Sequence, residues 1–277
     1  MAYEFAIIEK KEHLWIITLN RPERMNALHS PAHKELDEIF NNFQKDNEAW
    51  VAIVTGSGDR AFSAGNDLKY QAEGGKMESV PSGFAGLTSR YDLNKPIIAA
   101  VNGVAMGGGF EIALACDLII ASDNATFALP EPKVGLAALA GGMHRLPRQI
   151  GLKRAMGMML TGRTVKASEG KDLGFVNEVV SQEELLIRAE EWAKMIMECS
   201  PVSIRTTKNV ALDGLNFSSI EEAMNQKYDS VISLFKSEDF VEGPLAFSQK
   251  RKPDWKGKQL EWLNLSFFLI GPLHGLI

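Results

Sequence analysis

The chain alternates between short apolar runs rich in β-branched residues and stretches in which apolar positions recur every three to four residues. "LWIITL" (14–19), "WVAIVTG" (50–56) and "PIIAAVNG" (96–103) carry no polar face, which predicts strands covered on both sides. Between the first two, "SPAHKELDEIFNNFQKD" places Leu36, Ile39, Phe40 and Phe43 on one helical face, with Ser30 expected as N-cap and Pro31 at the first helical position. "DLIIAS" and "TFALP" continue the alternation, so the first two-thirds of the chain reads as an α/β layered unit.

The last third changes character. Ser181 with Glu184 and Ser219 with Glu222 have capping-box spacing, and Leu185, Ala189, Trp192 and Ile196 keep a helical period. The tail from residue 259 to 277 is strongly apolar. Glu261, Pro272 and His274 interrupt it too closely for a membrane span, leaving an arm packed on the body or on another subunit, or an extension foreign to the native chain.

Bulk properties narrow the function. With 277 residues, 45% of them apolar, the chain can bury a large core. Its net charge of −5, with basic residues dispersed, argues against nucleic acid or an anionic membrane as partner. Cys116 and Cys199 stand far apart and outside any CxxC motif, which reads as two reduced core residues. The start, "MAYEFAIIEKKEHLW", has no secretory pattern, so a cytoplasmic location is expected.

Several motifs carry no chemistry. "GSGDRA" (56–61) imitates a dinucleotide fingerprint, but no helical period follows it, and a turn after a strand is the better reading. The five histidines form no HxH or HExxH arrangement, so no metal site is expected, and "FSAGN" is not a nucleophile elbow. His144, beside Arg145, reads as a surface or interface residue.

"GVAMGGGFEIALACD" (103–117) is different. Three glycines precede a helix, and Glu111 sits in its first turn among apolar neighbours, which argues against a merely dipole-matching surface acid. Glu131 is fixed between Pro130 and Pro132 just after a strand, where the plainer reading is a solvated turn carboxylate. A glycine-rich helix start exposes N–H groups to an oxygen that gains negative charge, and two carboxylates beside it suit proton transfer next to an activated carbonyl.

"NRPERMNAL" (20–28), "AFSAGNDL" (61–68), "KPIIAAVNGVAMGGGFEIALACD" (95–117), "FALPEPKVGL" (127–136) and "LTGRTVKASEGKDLGFVNEVV" (160–180) resemble, in order and spacing, the enoyl-CoA hydratase/isomerase, or crotonase, superfamily. The resemblance spans residues 4 to 258. It implies an α/β fold with a crotonase-like spiral of ββα turns over 1–180 and a helical oligomerisation region over 181–258; the tail over 259–277 lies outside it. It also implies an acyl-CoA thioester substrate, no separate cofactor, and a homotrimer or dimer of trimers.

Carried over by motif position, Asn66 and Gly108 would donate the two N–H groups of an oxyanion hole, and Glu111 and Glu131 resemble the two glutamates of the hydratase branch. Ala64, Asp67 and Leu68 would line an adenine pocket, with Arg24 near the CoA phosphates. One departure is "LAALAGG" (136–142), where Ala138 and Leu139 replace a smaller or more rigid pattern and are expected to reshape the acyl pocket. The implied activity is hydration of a 2-enoyl-CoA across C2–C3. The alternatives are another reaction on an acyl-CoA enolate, such as carnitinyl-CoA dehydration or isomerisation, or a non-catalytic acyl-CoA-binding oligomer.

Overall fold

Strands without a polar face need cover on both sides, and the chain supplies it by splitting consecutive strands between two sheets. The structure, a computed structural model, describes residues 3–260 and forms two units, one up to Met195 and one from Ile196. The first unit begins with β1 (Ala6–Lys11), β2 (Leu14–Leu19), α1 (Ser30–Lys45), β3 (Val51–Gly56), β4 (Ala61–Ser63) and α2 (Leu68–Ala72). It continues with β5 (Ile97–Val101), β6 (Val104–Met106), α3 (Gly108–Ala115), β7 (Leu118–Ser122) and β8 (Thr126–Ala128). Then come α4 (Gly142–Ile150), α5 (Leu152–Met159), β9 (Val165–Lys166), α6 (Ala167–Leu173), β10 (Glu178–Val180) and α7 (Leu185–Met197).

The larger sheet has the order β1-β2-β3-β5-β7-β10 and the smaller one β4-β6-β8-β9. Each of the pairs β3–β4, β5–β6 and β7–β8 places its first strand in the larger sheet and its second in the smaller, and a helix or 3-10 turn follows. This is the expected winding of ββα turns. β3 and β5 are buried along their whole length, and Ile53, Ile97, Phe110 and Phe127 are among the largest fully buried side chains. "GSGDRA" is indeed the turn between β3 and β4.

Two local expectations change. His29, not Ser30, is the N-cap of α1; the Ser30 hydroxyl instead donates to the Lys76 carbonyl and accepts the Glu78 N–H. Cys116 is buried but Cys199 is exposed, so only the former is a core residue. α7 is tied to β10: Arg188 Nε and Trp192 Nε1 both donate to the Glu178 carboxylate, at 2.9 and 2.7 Å.

The second unit holds α8 (Pro201–Gly214), α9 (Ile220–Met224), α10 (Asp229–Phe235) and α11 (Glu238–Ser248). Ser200 and Ser219 cap α8 and α9 with their hydroxyls, as polar N-caps do. Buried Asp239 accepts from Ser200 Oγ and from the Lys256 and Gly257 N–H groups. The tail expectation, 259–277, falls outside the described residues except for Gln259 and Leu260. No helix among the described residues is long and apolar enough to cross a membrane.

Candidate active site

"NRPERMNAL" is a folding device that fixes the loop after β4. Met25 and Asn26 both adopt left-handed backbone, and buried Asn26 donates through its amide to the Ser57 and Ala61 carbonyls while accepting the Arg21 N–H. From this anchor Ala64 N–H donates to the Met25 carbonyl, Leu28 N–H to the Gly65 carbonyl, and Asp67 N–H to the Leu28 carbonyl. The last two bonds make a parallel bridge between Leu28 and Asn66, in which Leu28 bonds to the residues on either side of Asn66. The Asn66 N–H therefore points away from residue 28, and no acceptor among the described residues bonds it.

The glycine triplet faces this loop, and each glycine is required for a different reason. Gly107 has φ +53, a conformation that side chains disfavour. A Cβ on Gly108 would stand 2.6 Å from the Phe84 ring, and one on Gly109 would stand 2.0 Å from the Ser63 carbonyl oxygen. On the other side, a Cβ on Gly65 would lie 2.8 Å from the Gly108 nitrogen, so the two segments meet backbone to backbone. Gly108 opens α3, where the first N–H groups have no intrahelical partner, and its amide is unbonded among the described residues. Asn66 and Gly108 thus each leave an amide N–H unbonded among the described residues, that of Gly108 at the positive end of a helix.

Glu111 lies one turn into α3 and is only 3% exposed. Its Oε1 accepts the Gly142 N–H at 2.9 Å, from the first residue of α4. Burial pushes its carboxyl up to about 7; the Gly142 bond opposes that rise, and the charge of Glu131 adds to it. Glu131 starts a 3-10 turn after β8 and is half-buried, with burial raising its carboxyl too. Its Oε1 lies against Gly107, 3.1 Å from where a Cβ there would stand, and its Oε2 is buried with no hydrogen-bond partner among the described residues. Two interacting acids beside two free N–H donors make a set suited to moving protons around an enolising carbonyl.

The remaining expected residues spread around this centre. Asp67 is buried as the N-cap of α2, with Oδ1 accepting the Tyr70 N–H and Oδ2 paired to Arg21 Nη1 at 3.0 Å. Burial works to raise it, but the Tyr70 bond and Arg21 outweigh burial and hold it below its ordinary value. Ala64 is half-buried, Leu68 is exposed at the start of α2, and Arg24 is exposed at the end of the 3-10 turn Pro22–Arg24. Ala138 is buried beside Gly142 and so beside the Glu111 carboxylate. Leu139 is 80% exposed in the described chain.

Gly142 and Phe84 are functional neighbours that sequence reasoning passed over. Gly141-Gly142 ahead of the periodic "MHRLPRQI" was a visible helix-start signal; Phe84 had none. Among the described residues no group of three or more histidine, cysteine, aspartate or glutamate side chains is placed to hold a metal.

The enoyl-CoA hydratase/isomerase family model matches residues 9–258. The chain is 45% identical over 251 residues to a carnitinyl-CoA dehydratase of Escherichia coli O157:H7, covering 87% of this chain and 94% of that one. A carnitinyl-CoA dehydratase of Citrobacter koseri is 44% identical over 252 residues with the same coverage. Among solved structures, an enoyl-CoA hydratase from Mycobacterium tuberculosis H37Rv superposes with a TM-score of 0.85 at 35% identity, over 92% of this chain and 99% of that one. An enoyl-CoA hydratase from Bacillus anthracis gives 0.85 at 34% identity, over 92% and 100%. The motifs, the paired sheets and these similarities agree: the chain belongs to the enoyl-CoA hydratase/isomerase, or crotonase, family.

Proposed function

We propose that the protein is a hydro-lyase that removes water from a 3-hydroxyacyl-CoA thioester of the carnitinyl type and adds it back in the reverse direction. The observation that carries this reading is the pair of carboxyls with unequal environments beside two free amides. Glu111, almost fully buried and raised to about 7, suits an acid; Glu131, half-buried with one oxygen unbonded, suits a base.

In dehydration, the Glu131 carboxylate takes the proton from C2 of the thioester. The electron pair moves into the carbonyl, and the oxygen, as it becomes an enolate, accepts from the Asn66 and Gly108 N–H groups. The pair then returns, the C2–C3 double bond forms, and the C3–O bond breaks as Glu111 gives its proton to the departing hydroxyl. Water and an enoyl-CoA leave, and exchange with solvent resets both carboxyls. Hydration runs through the same steps backwards, with Glu111 as base toward water and Glu131 as acid toward C2.

The identity to carnitinyl-CoA dehydratases favours a substrate bearing a cationic acyl group, while similarity to solved enoyl-CoA hydratases supports plain 2-enoyl-CoA hydration as a second reading. The test is turnover of carnitinyl-CoA against an uncharged 3-hydroxyacyl-CoA of similar length, read by the absorbance of the conjugated thioester. Preference for carnitinyl-CoA is expected. Preference for the uncharged thioester would move the assignment to the second reading, and turnover of neither would overturn both.

A further inference from the structure

The half-buried Phe84 ring lies over Gly108, close enough that a Cβ there would be 2.6 Å from both Cε1 and Cζ. An unusual piece of backbone holds it. Ala85, next in sequence, is buried with φ +55, a left-handed conformation that a non-glycine residue adopts at a cost. Its N–H donates to Nδ1 of His33 on α1 at 3.1 Å, and the His33 imidazole meets the Phe84 ring edge to face with centroids 4.5 Å apart. Gly86 rests on the α1 backbone, where a Cβ would be 2.4 Å from the Asp37 nitrogen. Arg90 donates to Asp37 and to the Gly86 carbonyl, and Arg145 of α4 donates to the Thr88 carbonyl at 2.8 Å.

His33 thus reaches both the Ala85 amide and the Phe84 ring. It is 4% exposed, and burial together with the neighbouring His29 pushes its imidazole down to about 4, so Nδ1 offers a lone pair at neutral pH. We propose that His33 is a positioning residue for the Gly108 donor: through Ala85 it sets the Phe84 ring against Gly108 and keeps water from the amide that receives the thioester oxygen. A donor shielded from water acts in a lower dielectric and needs no reorganisation when charge develops. The inference rests on Gly108 N–H being a thioester-oxygen donor, and it adds a residue on α1, distant in sequence, to that donor's support.

Its test compares His33→Leu, His33→Asn, Phe84→Ala and the double variant His33→Leu/Phe84→Ala, all checked for native circular dichroism. Two readouts are taken: kcat and KM for the thioester that the parent turns over, and the absorbance shift of bound cinnamoyl-CoA, whose conjugated carbonyl reports polarisation without turnover. Loss of one oxyanion donor costs about 10²- to 10³-fold in kcat, so loosening its cover should cost less, about 10- to 100-fold, with KM within about threefold. His33→Asn, whose Oδ1 takes the place of Nδ1, should recover to within about threefold of the parent. The double variant should be little worse than Phe84→Ala, because one residue acts through the other.

A parent that shifts cinnamoyl-CoA and turns over, beside folded His33→Leu and Phe84→Ala variants that match it in both readouts, overturns the proposal. Should His33→Leu not fold, an unchanged Phe84→Ala overturns it alone. A parent that neither shifts the probe nor turns over any acyl-CoA instead overturns the functional reading beneath it.

Discussion

Replacing Glu111 with glutamine should stabilise the fold while it removes activity. The native carboxyl is raised from 4.5 to about 7, mainly by burial, and that rise corresponds to about 3 kcal/mol. Because the folded value lies above the unfolded one, this contribution is fully present below about pH 4.5 and is lost as pH rises through 7. At pH 8 the parent therefore holds a buried charge at a cost of about 3 kcal/mol. Glutamine keeps the size and still accepts the Gly142 N–H through Oε1 as the protonated carboxyl does, and the rise to about 7 is already net of that bond. The net gain at pH 8 is therefore about 3 kcal/mol, or about 7 °C in Tm for a chain of this size. Thermal and urea melts of the parent and variant at pH 5 and pH 8 measure it. At pH 5 the gap should shrink to about 1 kcal/mol or less, since the native carboxyl is protonated there and only the unfolded one is partly ionised. A Glu111→Gln variant less stable than the parent at pH 8, or a gap independent of pH, would refute the claim that a desolvated ionisable group sits at this point.

Other consequences are as direct. Since the pair works with one proton, held by Glu111 when water is released, dehydration kcat should fall above about pH 7, where Glu111 loses that proton; a dehydration kcat that stays level through about pH 9 would contradict the assigned role of Glu111. Gly109→Ala drives a methyl into the Ser63 carbonyl oxygen, 2.0 Å away, and should cost at least about 1–3 kcal/mol in urea unfolding. Exposed Leu139, Leu152, Met156 and Leu160 supply apolar surface that one chain leaves uncovered, so sedimentation should give three or six subunits, and a clean monomer would remove the quaternary expectation.

The parts of this molecule written in local pattern were readable from sequence. Strand runs such as "WVAIVTG" declare burial on both faces, and the Gly107–Gly109 triplet followed by Glu111 declares a backbone contact and a buried acid. Ser30 was misread because its hydroxyl can cap a helix or bond elsewhere with equal chemistry, and contacts with residues 76 and 78 decided the matter. Leu139 was read from the departure of "LAALAGG" from the family pattern, and a loop's pattern does not tell that Ala138 is buried while Leu139 beside it is exposed. His33 and Phe84 stayed hidden because the Ala85–His33 bond joins residues 52 apart, with no periodicity to mark either end. The Gly142 donor was hidden for another reason: an amide N–H is present at almost every position, and only the fold aims this one at Glu111.

The central claim is that Glu111 and Glu131 act as one proton-transfer unit on a thioester enolate held by the Asn66 and Gly108 amides. It is tested most directly by kcat for the hydro-lyase reaction in Glu111→Gln, Glu131→Gln and the double variant, each folded and binding the thioester. One positioned acid or base contributes about 10²- to 10⁴-fold, so each single variant should fall by that order, and the double should be little worse than the poorer single. Either single variant turning over within about threefold of the parent would contradict the account, because no positioned acid or base contributes so little.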